Sequence, residues 1–240
     1  MKFISAVRSE MVKLRDTPHW GIHMAVPLMG AILFVFYFIS YSSVDEYKKL
    51  KLIAELTAVV FPLLISVIVG LNILQEEKAC KFQALLAVCD RERILLAKLS
   101  VLYLSGVFSL FCLYLFVLMG TEVYGMQTFP KTVMWQAVLG LGFNGFVLYV
   151  IHLFLSLKFG AGISLFWGIF ECLQYIMYSN MEIDGIWRYI PFAWSANWLQ
   201  DVFDSRLMEH RAEWIAIAVG MGCILLLFLY WFSRWEGRKN

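Results

Sequence analysis

Six apolar runs, at 20–41, 56–74, 99–120, 133–157, 161–178 and 214–232, constrain this chain more than any other feature. Each is about 20 residues long, so a helix rising ~1.5 Å per residue matches the ~30 Å hydrocarbon core of a bilayer. Together they hold one carboxylate, Glu171, and no Lys or Arg. Backbone polar groups in lipid must be satisfied internally, and a helix does this within a single segment. Composition agrees: 61% of residues are hydrophobic and 16% are charged, against about a quarter charged in ordinary globular chains. The reading is an all-α membrane protein with six transmembrane helices, one transmembrane domain over 1–240. The first run is longer than a signal-peptide core and no small-residue cleavage site follows it, which predicts a retained first span.

Six spans put both termini on one side. With the termini inside, thirteen Lys and Arg lie inside and seven outside, which accounts for all 20. The positive-inside rule then places both termini in the cytoplasm. Residues 1–16 carry Ile4, Val7, Met11 and Leu14 at helical spacing, with Lys2, Arg8, Lys13 and Arg15 on other faces. This predicts a basic interfacial helix. Asp16 or Thr17 is placed to cap the next helix, with Pro18 at its first position, and Pro27 is expected to bend it. The polar stretch 42–55 and the stretch around Glu122, Pro130 and Lys131 read as outer loops. Lys158, Phe159 and Gly160 read as a tight turn.

Between the second and third runs lies a charged island, 75–98, with nine charged residues. Phe82, Leu85, Leu86 and Cys89 fall at i, i+3, i+4 and i+7, one apolar face of a helix. Glu76, Glu77, Lys78 and Lys81 crowd its start, and Asp90, Arg91, Glu92 and Arg93 its end. The spacing predicts a cytoplasmic amphipathic helix that docks into a groove on a partner; the alternative is a helix lying on the bilayer surface.

Little in the chain reads as catalysis. Gly140, Gly142 and Gly145 spell G-x-G-x-x-G, but inside a lipid-spanning run, where small residues serve close helix packing. No G-x-x-x-x-G-K-[ST] occurs, so nucleotide-driven work needs a partner. No catalytic constellation of Ser, His and a carboxylate is recognisable, and no metal cluster: His19, His23, His152 and His210 are dispersed. The five cysteines, Cys80, Cys89, Cys112, Cys172 and Cys223, show no disulfide or zinc spacing and read as small apolar residues. Lys and Arg flank spans rather than forming a nucleic-acid stripe. Glu171 stands alone at membrane depth, a functional hypothesis by default. Asn144, His152 and Gln174 are its possible hydrogen-bond partners, although His152, near the end of its span, reads as packed or interfacial. Glu171 is either an ion or proton relay or a helix–helix bolt.

The stretch 179–213 is too aromatic for a plain linker. Trp194, Trp198 and Val202 recur at a spacing of four, with Trp187, Leu199 and Phe203 nearby. Short re-entrant helices in the outer interface are expected, either gating a pathway through Trp187, Trp194 and Trp198 or capping the bundle.

This layout resembles the ABC-2 type of transporter permease, the type V exporter-like fold. The opening VRSEMVKLRDTP is similar to that family's N-terminal pattern. EEKACKFQALLAVCDRERILLAK resembles its first cytoplasmic loop, through Glu76, Glu77, Leu85, Leu86, Arg91, Arg93 and Lys98. Many members carry a Pro after the paired leucines, where this chain has Val88, Cys89 and Asp90. Size and wording resemble the short permeases of lantibiotic-immunity and bacitracin-resistance transporters. The resemblance implies a bacterial cytoplasmic membrane and a coupling helix (Glu76, Glu77, Lys78, Phe82, Leu85, Leu86, Arg91, Arg93) seated in a separate ATP-binding subunit. It also implies two ATPase copies, and a second permease that is either the same chain or a paralogue. ATP and Mg would sit on the partner, with no cofactor or metal on this chain. The cargo implied is an antimicrobial peptide, expelled outward. The alternatives are another drug or lipid-like substrate, a secondary transporter using Glu171, or a peptide-sensing membrane protein.

Overall fold

A computed structural model describes residues 3–15, 17–41, 43–87, 90–125, 130–180 and 186–238. Asp16, Val88, Cys89 and 181–185 therefore lie outside the described residues, as do Lys2 and Lys239. Every regular element among the described residues is helical. These are α1 (Phe3–Arg15), α2 (His19–Ser40), α3 (Glu46–Cys80), α4 (Gln83–Leu86), α5 (Arg91–Val123), α6 (Lys131–Phe159), α7 (Ala161–Asn180), α8 (Trp194–Phe203) and α9 (Arg211–Ser233). Two short 3-10 turns, Ile186–Tyr189 and Pro191–Ala193, precede α8. Five helices, α2, α3, α5, α6 and α9, are long and apolar enough to cross a membrane. The apolar part of α7, Ala161–Met177, is shorter.

The long helices overrun the expected spans. Residues 42–55 were expected as a loop, but α3 begins at Glu46 and runs 35 residues, about 52 Å at 1.5 Å per residue. Asp45 explains the early start: its carboxylate accepts from the Tyr47 and Lys48 backbone N–H groups at 3.0 and 3.3 Å, an N-cap that satisfies otherwise orphan donors. Leu50, Ile53 and Ala54 are then fully buried. Likewise α5 starts eight residues before the expected span, at Arg91. Pro18 stands at the N-cap of α2 rather than at its first position, and no side chain caps the helix from there; Thr17 Oγ1, one residue earlier, accepts from His19 N at 3.3 Å.

Pro27 has a specific use. Its ring leaves the carbonyl four residues earlier without a helical donor, and Ser109 of α5 donates to that carbonyl, His23 O, at 2.9 Å. The defect in α2 thus becomes a joint with α5. Gly160, at φ +102°, makes the turn between α6 and α7, its N–H donating to Ser156 O.

The core has two parts. One gathers α3, α5, α6 and α9 around Phe61, Leu102, Leu148 and Phe232. The other packs α2, α3, α5, α6 and α8 around Phe38, Leu50, Tyr114 and Leu199. The glycines of the G-x-G-x-x-G string serve packing: Gly140 lies against the Trp198 indole and Gly145 against the Phe61 ring, and a Cβ at either would overlap those rings. Among the described cysteines, Cys112, Cys172 and Cys223 are free.

Candidate functional site

The charged island does not form one helix. α3 ends at Cys80, and Lys81 and Phe82 both adopt left-handed backbone, φ 48° and 66°. A single turn, α4, follows, and α5 starts after Asp90. Each left-handed non-glycine residue costs roughly 1–2 kcal/mol. Burial of Phe82 and Leu85, worth roughly 1.5–3 kcal/mol apiece, offsets that cost. The apolar face expected to meet a partner therefore turns inward: Phe82 packs edge-on against Trp235 at 5.2 Å. Leu86 is half-buried beside the same core, and Cys89 lies outside the described residues.

The C-terminal segment braces this corner. Arg91 donates to Trp235 O at 3.3 Å. The Arg238 guanidinium lies over the Phe82 ring at 5.6 Å, pairs with Glu77 and abuts Gly160. One residue thus touches the end of α3, the corner and the α6–α7 turn. Lys81, Gln83, Ala87, Asp90, Glu92 and Arg93 remain exposed on the outward face. Beside them is a polar hollow of about 590 Å³, bounded by Phe3, Arg91, Arg93, Leu96 and Ser233.

Glu76 is no docking residue on the surface; it lies in a buried charge cluster. Lys98 Nζ reaches Glu76 Oε1 at 2.9 Å, Glu10 Oε2 at 2.6 Å and Asn72 Oδ1 at 2.9 Å. Lys13 Nζ meets Glu10 and the same Glu76 oxygen at 2.7 and 2.9 Å. Two carboxylates face two ammonium groups, so α1, α3 and α5 are joined by a cluster of zero net charge. Burial works against the Lys13 ammonium, but its hydrogen bonds and charge contacts with Glu10 and Glu76 outweigh that, and its pKa stands above the ordinary 10.5. Lys78 stands apart, exposed on the flank facing the α1–α2 junction.

At membrane depth, Glu171 Oε2 lies 3.0 Å from His152 Nε2, and His152 Nδ1 lies 3.0 Å from Ser164 Oγ. The structure thus pairs Glu171 with His152, one of its three expected partners, and adds Ser164, making a Ser–His–carboxylate chain with a packed rather than interfacial His152 at its centre. All three side chains are fully buried, closed to any substrate, and they tie α6 to α7. Asn144 and Gln174, expected as partners, are not: Asn144 is buried with neither amide atom bonded, and Gln174 faces Met177.

The tryptophans of the segment 187–203 pack inward. Trp187 and Trp198 contact Trp214 at 5.5 and 4.8 Å. Trp194, Trp198 and Trp214 donate their indole N–H groups to Arg188 O, Gln136 O and Asp201 Oδ2. Asp201 also meets His210 at 2.8 Å. Tyr47 donates to Phe203 O, locking the start of α3 to α8. Sequence reasoning named Lys13 and Lys98 for other reasons and missed that they pair with Glu10 and Glu76, and that Asp201 joins Trp214 to His210. Glu10 gave a signal, because it occupies the Ala6–Leu14 face at i+4 spacing.

Comparison with curated proteins finds no significant match, and comparison with solved structures finds none either. A family model described as "ABC-2 family transporter protein" matches residues 6–171, well over half of the 240-residue chain. The matched stretch runs from α1 through the charge cluster and the corner to Glu171. The chain belongs to the ABC-2 transporter family, as a membrane permease that works with an ATP-binding partner subunit.

Proposed function

We propose that the corner between α3 and α5 is where the ATP-binding subunit takes hold, in an assembly of two ATPases and two permeases, and that both termini face the cytoplasm. The reading is supported above all by the bracing of this corner. Its buried side is fixed by Phe82, Leu85, Trp235 and Arg238, while Lys81, Gln83, Asp90, Glu92 and Arg93 face outward beside an open hollow. A rigid corner passes force on; a frayed one dissipates it. Closure of the ATPase pair would push the corner, and the charge cluster would carry that movement into α1 and α5 as rigid-body rocking. In this reading α7 serves as a sixth, short span.

The cargo proposed is an antimicrobial peptide, expelled outward in self-immunity or resistance. Support comes from the small size and layout of the chain and from the aromatic outer segment. In this reading Trp187, Trp194 and Trp198 form the gate.

The decisive experiment co-expresses the chain with its cognate ATPase. The double variant Lys81→Glu/Glu92→Arg should lose co-purification and permease-dependent ATP hydrolysis while its Tm stays at wild type. Unchanged coupling in that variant would remove the corner from the mechanism. Peptide clearance from cells is scored separately, since its absence with coupling intact points to a different drug or lipid-like cargo.

A further inference from the structure

A crevice of about 520 Å³ opens between the α1–α2 junction and the last turns of α3, within the ~300–1,000 Å³ range of ligand sites. Its walls are Ile22, Ile68 and Leu71, with Thr17, Gln75 and Lys78 among its polar groups. Ile68 and Lys78 lie on one helix ten positions apart, about 15 Å along the axis. The crevice therefore runs from the apolar body of the bundle to a cation at the helix end. Among the described residues, no Asp or Glu lines it. Lys13 and Lys98 nearby are held by carboxylates, whereas Lys78 is exposed and carries no carboxylate partner among the described residues.

The neighbouring surface marks the level of lipid headgroups. On the outward face of α1, Ile4, Arg8, Met11, Val12 and Arg15 are all exposed, apolar and cationic in alternation. Such a face sits at the boundary of acyl chains and headgroups. Arg15 follows Leu14, which itself lines the crevice. Basic pockets between transmembrane helices at this level suit anionic headgroups, with each cation contributing about one kilocalorie per mole.

We propose that this crevice binds an anionic phospholipid of the leaflet bordering the two termini. The phosphate sits against Lys78, and an acyl chain lies along Ile22, Ile68 and Leu71. The lipid would tie the α1–α2 junction to α3 beside the buried charge cluster. The site stands whether or not the corner receives an ATPase, because it uses this chain alone.

The test takes the purified full chain, stripped of lipid in mild detergent, and titrates it with phosphatidylglycerol, phosphatidylcholine or inorganic phosphate. Native mass spectrometry counts retained lipid, and Tm reports stabilisation. Phosphatidylglycerol should be retained and raise Tm, and phosphatidylcholine and phosphate should not. Lys78→Gln should weaken retention about fivefold. Leu71→Trp, filling the crevice from a half-exposed position, should abolish it without lowering the lipid-free Tm. Lys131→Gln, at the far end of α6, should change nothing. Equal binding of the two lipids, stabilisation by phosphate alone, or retention unaffected by Lys78→Gln and Leu71→Trp would overturn the proposal. So would disulfide capture of a second copy of the chain across the crevice through Leu71→Cys.

Discussion

Lys98 and Glu76 lie 22 residues apart and meet at 2.9 Å, with both side chains buried. Between them the chain turns the entire corner, so this contact and the Lys98–Asn72 bond at 2.9 Å tie the end of α3 to the start of α5. Buried ion pairs are weak evidence of net stability, because desolvation opposes the Coulomb attraction; removing one partner is nonetheless severe. Lys98→Met would leave Glu10 and Glu76 sharing a single cation, and a loss of about 3–5 kcal/mol is expected, read as a fall in Tm. Lys13→Met should cost less, because its side chain is one-third exposed and water can reach the carboxylates. If the two variants lose equal stability, the cluster is not anchored on Lys98.

Lys13 makes α1 docking sensitive to alkali. The folded pKa is raised above 10.5, so the stabilisation is complete below 10.5 and is lost as pH climbs through the raised value. Hydrogen exchange in α1 should stay slow at neutral pH and accelerate only above that point. Lys13→Gln should show fast exchange throughout, without the alkaline step. A step that survives in Lys13→Gln would belong to another group.

Hydropathy exposed the spans because lipid leaves no alternative to a closed helical ladder, so the apolar runs alone located α2, α3, α5, α6 and α9. Their ends were illegible. The polar residues 46–55 and 91–98 continue helices beyond the apolar run, where capping by Asp45 and tertiary burial of Leu50, Ile53 and Leu95 decide. The corner misled for a related reason. Phe82, Leu85 and Leu86 keep helical spacing across a break made by Lys81 and Phe82, neither of them a residue that announces left-handed backbone. Partners distant in sequence, such as Glu10 with Lys98, leave no local pattern, and for Glu171 the sequence offers three partners without singling out His152.

The Glu171–His152–Ser164 chain separates a bolt from a relay. As a bolt, Glu171→Gln keeps an acceptor for His152, and less than about 1.5 kcal/mol should be lost, with ATP-driven transport retained. Glu171→Leu strands His152 Nε2 and should cost about 1–3 kcal/mol. A relay would show instead as transport abolished in Glu171→Gln at unchanged Tm, with dependence on an ion gradient in the wild type. Transport and thermal unfolding of the same preparations decide between the two.

Two glycines test the packing around α8. Gly140→Ala drives a methyl group into the Trp198 indole, which cannot retreat without giving up its bond to Gln136 O. A loss of about 1–3 kcal/mol is expected. Gly222→Ala in α9 meets nothing within 4 Å and should be neutral or gain up to ~1 kcal/mol from helix propensity. Comparable Tm values for the two variants would show that Trp198 is not fixed.

Arg238 offers the sharpest probe of how the corner is held. Its guanidinium touches Glu77, the Phe82 ring and Gly160, and the backbone just before it accepts from Arg91. Arg238→Ala removes a half-buried ion pair and a cation–π contact of about 0.5–1 kcal/mol, so global Tm should fall only slightly. Local opening is another matter, because α4 is a single turn with no internal helical stability of its own. Hydrogen exchange at residues 83–87 should therefore rise several-fold in Arg238→Ala while α5 and α6 exchange as before. Arg238→Lys keeps the charge but not the planar stack over Phe82 and should fall between. With the cognate ATPase present, the same order of variants should appear in permease-dependent ATP hydrolysis. Unchanged exchange in Arg238→Ala would mean that Phe82 and Trp235 hold the corner without the tail's last arginine.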